Sequence, residues 1–248
     1  MAEDLAEVGG KTRLYVLGDL GANMAVVLNE GQTHYLLHVL RARAGNRLLL
    51  FNGRDGEWLA EIVQTGKRGV AATCLKQTEP QAGAPDIWLV FAPVKKTPAD
   101  YLVQKASELG VSLLQPVFTR RTVVSRVNRE RMAANAIEAA EQSARLSVPE
   151  IRDGLTLEKL LGAWPRERHL FFCDEGGDAR PIAQAARDAG GPAAILTGPE
   201  GGFDPAERVL LRGQPYVIPV TLGPRILRAD TAALAALAVW QSVKGDCR

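Results

Sequence analysis

Ile195-Leu-Thr-Gly-Pro-Glu-Gly-Gly-Phe-Asp204 is the stretch whose reading decides the fold class. With the two alanines before it, Ala193–Thr197 forms a short apolar run that suits a strand covered on both faces. Gly198, Gly201 and Gly202 break the run. Asp204-Pro205-Ala-Glu207 then predicts a helix start: Asp204 as N-cap, Pro205 at the first helical position, Glu207 closing a capping box. Val209 and Leu210 follow, and Gly213 ends the helix. Strand, glycine turn and helix in that order aim backbone N–H groups at the C-terminal edge of a sheet, where open α/β sheets bind ligands. The turn is no phosphate loop, since no Gly-Lys-Ser/Thr follows, and its glycines do not fit G-x-G-x-x-G. Glu200 inside it would also repel phosphate. Two readings stand here: glycines that only satisfy a tight turn, or glycines that clear room for a ligand.

A second turn of this kind lies just downstream. Tyr216–Val220 predicts a strand, Leu222-Gly-Pro-Arg-Ile-Leu-Arg228 a Gly-Pro turn, and Thr231–Val243 an alanine-rich helix. Asp230 and Thr231 are natural caps, whereas Arg225 and Arg228 before a helix N-terminus run against its dipole. Such local misfits are expected at functional sites.

Upstream, strands and helices alternate. Ile87–Phe91 predicts a strand, then a helix capped by Thr97 with Pro98 first, burying Leu102, Ala106 and Leu109 and stopping at Gly110. Leu113–Phe118 is a strand, Arg129 to Arg145 a longer helix, and Leu170–Cys173 a further strand. On the long helix Ala133, Ala136, Ile137 and Ala140 form a small-residue stripe, and Glu138, Glu141, Gln142 and Arg145 a polar one. This alternation predicts a parallel α/β sheet. The first third reads differently. Arg13–Leu17, Asn46–Phe51, Glu57–Val63 and Val70–Leu75 are strand-like, with a turn at Asn52-Gly53 and one short helix over Thr33–Leu40 capped by Thr33. Thr78–Pro85 lacks apolar periodicity and reads as a linker, with a boundary near Ala82.

The 248 residues are 46% hydrophobic and 23% charged, which excludes disorder as the dominant state. Ala232–Trp240, the longest apolar run, is too short to span a bilayer, and Met1-Ala-Glu-Asp-Leu-Ala-Glu7 lacks a signal peptide's apolar region. A soluble, cytoplasmic protein without membrane contact is expected. Cys74, Cys173 and Cys247 stand far apart, and with His34, His38 and His169 they compose no zinc signature, so no metal is expected. A net charge of +2 gives a weak overall field, so the distribution of charge matters more than its total.

Several segments together resemble the SPOUT class of methyltransferases, and within it the family that methylates N3 of a uridine in 16S ribosomal RNA. They are His34-Tyr-Leu-Leu-His-Val-Leu-Arg41 with Gly45 and Phe51-Asn-Gly53; Gln104-Lys105-Ala-Ser-Glu108-Leu-Gly110; Glu141-Gln142 with Arg145 and Pro149-Glu-Ile151; Gly198-Pro-Glu-Gly-Gly202; and Leu222–Arg228. The resemblance covers most of the chain. It departs at Asp230, where the family usually has Glu, and at Thr119-Arg120-Arg121, where it often has Ser-Glu-Arg.

The resemblance implies an α/β fold: a C-terminal SPOUT domain with a deep trefoil knot over residues 79–248, preceded by a small PUA-like β-barrel over 1–78. It implies S-adenosylmethionine as cofactor, 16S ribosomal RNA within the small subunit as partner, a homodimer, and a place in ribosome biogenesis. The cofactor would be held by Leu196, Thr197, Gly198, Glu200, Gly201, Gly202, Ile218, Leu222, Gly223, Ile226, Leu227 and Thr231. Arg228 would stabilise charge on the uracil, with Glu200 and Asp230 as candidate bases. Arg120, Arg121, Arg126, Arg129 and Arg131 cluster in one short stretch and Arg41, Arg43 and Arg47 in another, as phosphate contacts require. RNA contacts are expected at Arg41, Arg43, Arg120, Arg121, Arg126 and Arg145. The competing readings are the same enzyme class acting on a ribose 2′-hydroxyl or a tRNA base, and a non-catalytic RNA-binding assembly factor.

Overall fold

The computed structural model describes residues 12–66, 69–174 and 178–247; the acidic stretch Met1–Glu7 and the Thr97 side chain lie outside the described residues. The chain divides into two units, Met1–Gly83 with Ala140–Val148, and Ala84–Ala139 with Pro149–Arg248.

In the first unit β1 (Arg13–Tyr15), β2 (Ala25–Val27), β3 (Arg47–Phe51), β4 (Glu57–Gly66) and β5 (Gly69–Glu79) form one sheet in the order β1-β3-β4-β5-β2. The Asn52–Gly56 turn joins β3 to β4: Asn52 Oδ1 accepts from the Arg54 and Asp55 amides, and Gly53 and Gly56 take φ of 82° and 77°. The core packs Leu36, Leu48, Leu50, Ile62, Val70 and Cys74. Strand β2 was not expected. Nor was the helix start: α1 (Glu30–His34) begins after Asn29, whose Oδ1 accepts from the Gln32 amide while Gln32 Oε1 accepts from the Asn29 amide. Thr33 is therefore not the cap, and its hydroxyl instead accepts from the Val70 amide. After α1 the chain widens into a π-turn over Tyr35–Val39.

The second unit is a parallel sheet with helices. Its strands are β6 (Ile87–Phe91), β7 (Leu113–Phe118), β8 (Glu150–Ile151), β9 (Leu155–Thr156), β10 (His169–Cys173), β11 (Arg180–Pro181), β12 (Ala193–Thr197) and β13 (Val217–Thr221). They run in the order β11-β13-β10-β12-β6-β7-β8, with β9 beside β7, and every pairing is parallel. The helices are α2 (Lys96–Glu108), α3 (Arg129–Gln142), α4 (Leu157–Gly162), α5 (Ile182–Asp188), α6 (Pro205–Arg212) and α7 (Ala229–Val243).

Three expected helix limits change. Helix α2 starts at Lys96 with Lys95 at the cap position, so Thr97 is not the N-cap, and Leu109 is half-buried. Helix α3 stops at Gln142, and its buried stripe is Met132, Ala136, Ala139 and Ala140, displaced from the expected one because Ala133 and Ile137 are half-buried. Helix α7 begins two residues early with Arg228 at the cap position, so Asp230 and Thr231 lie inside its first turn. Gln241 of α7 is buried and donates to the Leu109 carbonyl, which ties α7 to the end of α2.

Candidate active site

Strands β12 and β13 end at the same edge of the sheet, on either side of β10, and their following turns enclose a cavity of about 510 Å³. That volume suits a ligand of cofactor size. Thr197, Gly198 and the run to Phe203 form one wall, Val220–Leu227 the other, and Ala229 and Ala232 of α7 the floor. Each turn is held locally. The Gly202 amide donates to the Pro199 carbonyl at 2.8 Å, and the Thr221 hydroxyl accepts from the Gly223 amide at 3.2 Å. Helix α6 starts as its sequence predicts: Asp204 Oδ1 accepts from the Ala206 amide, Glu207 Oε2 accepts from the Asp204 amide, and Gly213 is the C-cap.

The glycines divide by cause. A Cβ on Gly198 would come within 2.6 Å of the Phe203 ring, so this glycine serves the packing of Phe203 against Phe172. Gly202 and Gly223 have φ of 67° and 107°, which an L side chain rarely adopts. Gly201 has neither restriction, and a Cβ there would meet the Arg121 side chain only at ordinary contact distance, 3.7 Å. The fold itself does not demand a glycine at position 201.

Most of the expected cofactor residues line this cavity: Thr197, Gly198, Glu200, Gly201, Gly202, Leu222, Gly223, Ile226 and Leu227. Three do not. Leu196 is packed in the core with Phe172 and Phe203, Ile218 is half-buried along β13, and Thr231 is exposed on α7. Arg228 sits between the lining residues Leu227 and Ala229, with an exposed side chain outside the wall. Its carbonyl accepts from the Ala232 amide, while its guanidinium makes no hydrogen bond or ion pair among the described residues and so is not tied to Asp230 or Glu200. The Asp230 carboxylate accepts from the Thr231 amide at 2.7 Å, whereas Glu200 is exposed at the cavity.

The basic stretch is partly neutralised from afar. Arg120 pairs with Asp204 at 3.2 Å, Arg129 with Asp153 at 3.4 Å, and Arg131 with Asp100. Arg121 lies at the cavity and donates to the Gly201 carbonyl at 2.9 Å, and Arg126 is exposed without an acidic partner among the described residues. In the first unit Arg41 and Arg43 are exposed, while Arg47 pairs with Glu61. Arg145 is half-buried, with its carbonyl taken by Arg13 and its guanidinium beside Ser147. Glu141 accepts from the Tyr15 amide, so this part of the polar stripe holds the first unit together.

Arg225, which the sequence marks as a misfit before α7, lines the cavity, as do Cys173, Asp174 and Arg208, to which no sequence signal points. Burial pushes the Cys173 thiol up to about 12. Asp174 accepts from both Arg208 and Arg212 of α6, a contact between residues more than thirty positions apart that no local pattern announces.

An all-parallel sheet with a glycine-turn cavity at its C-terminal edge, in a chain that also carries a separate small β-unit, defines an α/β fold that binds a ligand at its strand ends. The comparisons make this specific. The RNA methyltransferase domain family matches residues 82–241 and the RNA methyltransferase PUA domain family residues 28–73. The chain belongs to the RNA methyltransferase family. It is 31% identical to ribosomal RNA small subunit methyltransferase E of Rickettsia conorii, over 95% of this chain and 97% of that one. It is 32% identical to the protein of the same name from Synechocystis, over 91% of this chain and 76% of that one. The solved ribosomal RNA small subunit methyltransferase E of Neisseria gonorrhoeae, bound to S-adenosyl methionine, superposes with a TM-score of 0.88 at 28% identity, covering 96% of this chain and all of that one.

Proposed function

We propose that this chain transfers a methyl group from S-adenosylmethionine to N3 of a uridine in 16S ribosomal RNA of the small subunit. The observation that carries the reading is the cavity between the two glycine turns, with Gly201 kept free of a side chain the fold would tolerate. The residues suit the cofactor: backbone groups at Thr197–Gly202 and Leu222–Leu227, and apolar Leu222 and Leu227 for a purine. When bound, S-adenosylmethionine supplies an electrophilic methyl on its sulfonium. The chain's task is alignment and removal of the N3 proton. Glu200, exposed at the cavity, is the better placed base; Asp230 is occupied by the Thr231 amide. Arg228 has its guanidinium free to meet the negative charge that spreads onto the uracil oxygens.

Residues 1–78 serve as the RNA-binding domain, with Arg41 and Arg43 as phosphate contacts, and 79–248 as the methyltransferase domain. The topology supports a trefoil knot, because the chain leaves β12, pairs β13 on the far side of β10, and returns as α7 to α2. Ile226 is 85% exposed at the cavity rim and Val209 73% exposed on α6, which favours cover by a second copy in a homodimer. Titration calorimetry tests the cofactor placement. Gly201→Val should abolish S-adenosylmethionine binding while thermal unfolding stays near that of the parent, and unchanged affinity would refute the placement.

A further inference from the structure

The Asp174 side chain is only 2% exposed at the end of β10, and its carboxylate accepts from Arg208 and from Arg212, each at 2.7 Å. A buried carboxylate needs a partner, and Arg212 alone would serve. Arg212 is fully engaged, since it also reaches Asp178 at 2.6 Å. Arg208 differs. It gives one amino group to Asp174, its side chain is 36% exposed, and it lines the cavity between the two glycine turns. The other cavity arginines are less suited to an anionic ligand group: Arg121 is bonded to the Gly201 carbonyl, and Arg225 is exposed on the rim.

We propose that Asp174 fixes the Arg208 guanidinium at the cavity wall so that Arg208 receives the carboxylate of the methionine end of S-adenosylmethionine. The inference rests on the reading of the cavity as the cofactor site. Arg208 is then a binding residue and Asp174 a positioning residue. A guanidinium matches a carboxylate in two parallel hydrogen bonds, and one already held in place loses less freedom on binding. An RNA phosphate presents the same kind of anionic oxygens, so the test has to separate the two sources.

Titration calorimetry on the full chain uses three probes: S-adenosylmethionine, its decarboxylated analogue, and a short RNA. Arg208→Ala should weaken S-adenosylmethionine binding about 10- to 100-fold, the usual range for a lost hydrogen bond to a charged group. Affinity for the decarboxylated analogue and for RNA should stay within about two-fold of the parent, and Asp174→Asn should lose part of the same discrimination. A purely structural role would not change that selectivity. Arg208→Ala leaves Asp174 paired with Arg212, and a thermal melt of each variant checks the fold. Equal loss for both cofactor forms, loss confined to RNA, or no loss at all overturns the assignment of Arg208. A parent chain that binds neither cofactor form overturns the cofactor reading itself, and the proposal with it.

Discussion

Gly198 shows how one residue can be read correctly as a turn and still be misjudged in cause. Its missing Cβ makes room for Phe203, which no rule of turn chemistry reveals. Gly198→Ala should lower stability by about 1–3 kcal/mol in a thermal melt, as overpacking does, and Phe203→Leu in the same chain should restore part of it. Arg228 was legible as a cation against a helix dipole, and the structure adds that it has no ion pair among the described residues. Arg228→Ala should therefore lower kcat about 10²–10³-fold, a typical loss for one charge-stabilising donor, with little change in cofactor affinity or melting temperature. Falls in both of those instead would make Arg228 a fold contact. Cys173 was read only as a cysteine without a partner. With its pKa pushed up to about 12, the native thiol keeps its proton where the unfolded one, near 9, loses it. Its contribution to stability is full below pH 9 and is lost as pH rises toward about 12. At pH 8 iodoacetamide should label Cys173, half-buried at the cavity, much more slowly in the native chain than in the unfolded one, because little of its thiol is ionised, and equal rates would contradict the raised pKa.

At the scale of elements, legibility followed how local the determinants are. Helix α6 was readable to its ends because Asp204, Pro205, Glu207 and Gly213 all lie within it or beside it. Helix α1 was misplaced because the true cap, Asn29, precedes any apolar repeat, and Thr33 looks like a cap but serves β5. Asn29→Ala should cost about 1 kcal/mol of stability by chemical denaturation, and Thr33→Ala clearly less; the reverse order would restore the sequence's reading. The two-residue strands β8, β9 and β11 carry no signal of their own and exist through pairing with β7 and β13. The α3 stripe keeps Ala136 and Ala140 but has Met132 and Ala139 in place of Ala133 and Ile137, because a run of alanines fits several helical faces equally well.

At the scale of the molecule, the charge map was the least legible from sequence. The run from Arg120 to Arg131 reads as one basic patch, yet Asp204, Asp153 and Asp100 reach three of its arginines from distant elements. Arg126 is exposed without an acidic partner among the described residues; if it meets RNA phosphate, Arg126→Ala should reduce the slope of log affinity against log salt by about one unit for any RNA sequence. Arg131→Ala should leave that slope nearly unchanged. The parallel sheet was legible from alternation, but its strand order was not, because β13 passes over β10 to pair on its far side. That order places both glycine turns around one cavity, and the cavity carries the account. Its central claim is tested most directly by mass mapping of 16S ribosomal RNA after incubating small subunits lacking uridine N3-methylation with the purified chain and S-adenosylmethionine. The account predicts a gain of one methyl group on a single uridine, at N3, abolished by Gly201→Val. A methyl group on a ribose hydroxyl, or none on any uridine while the cofactor binds, would contradict it.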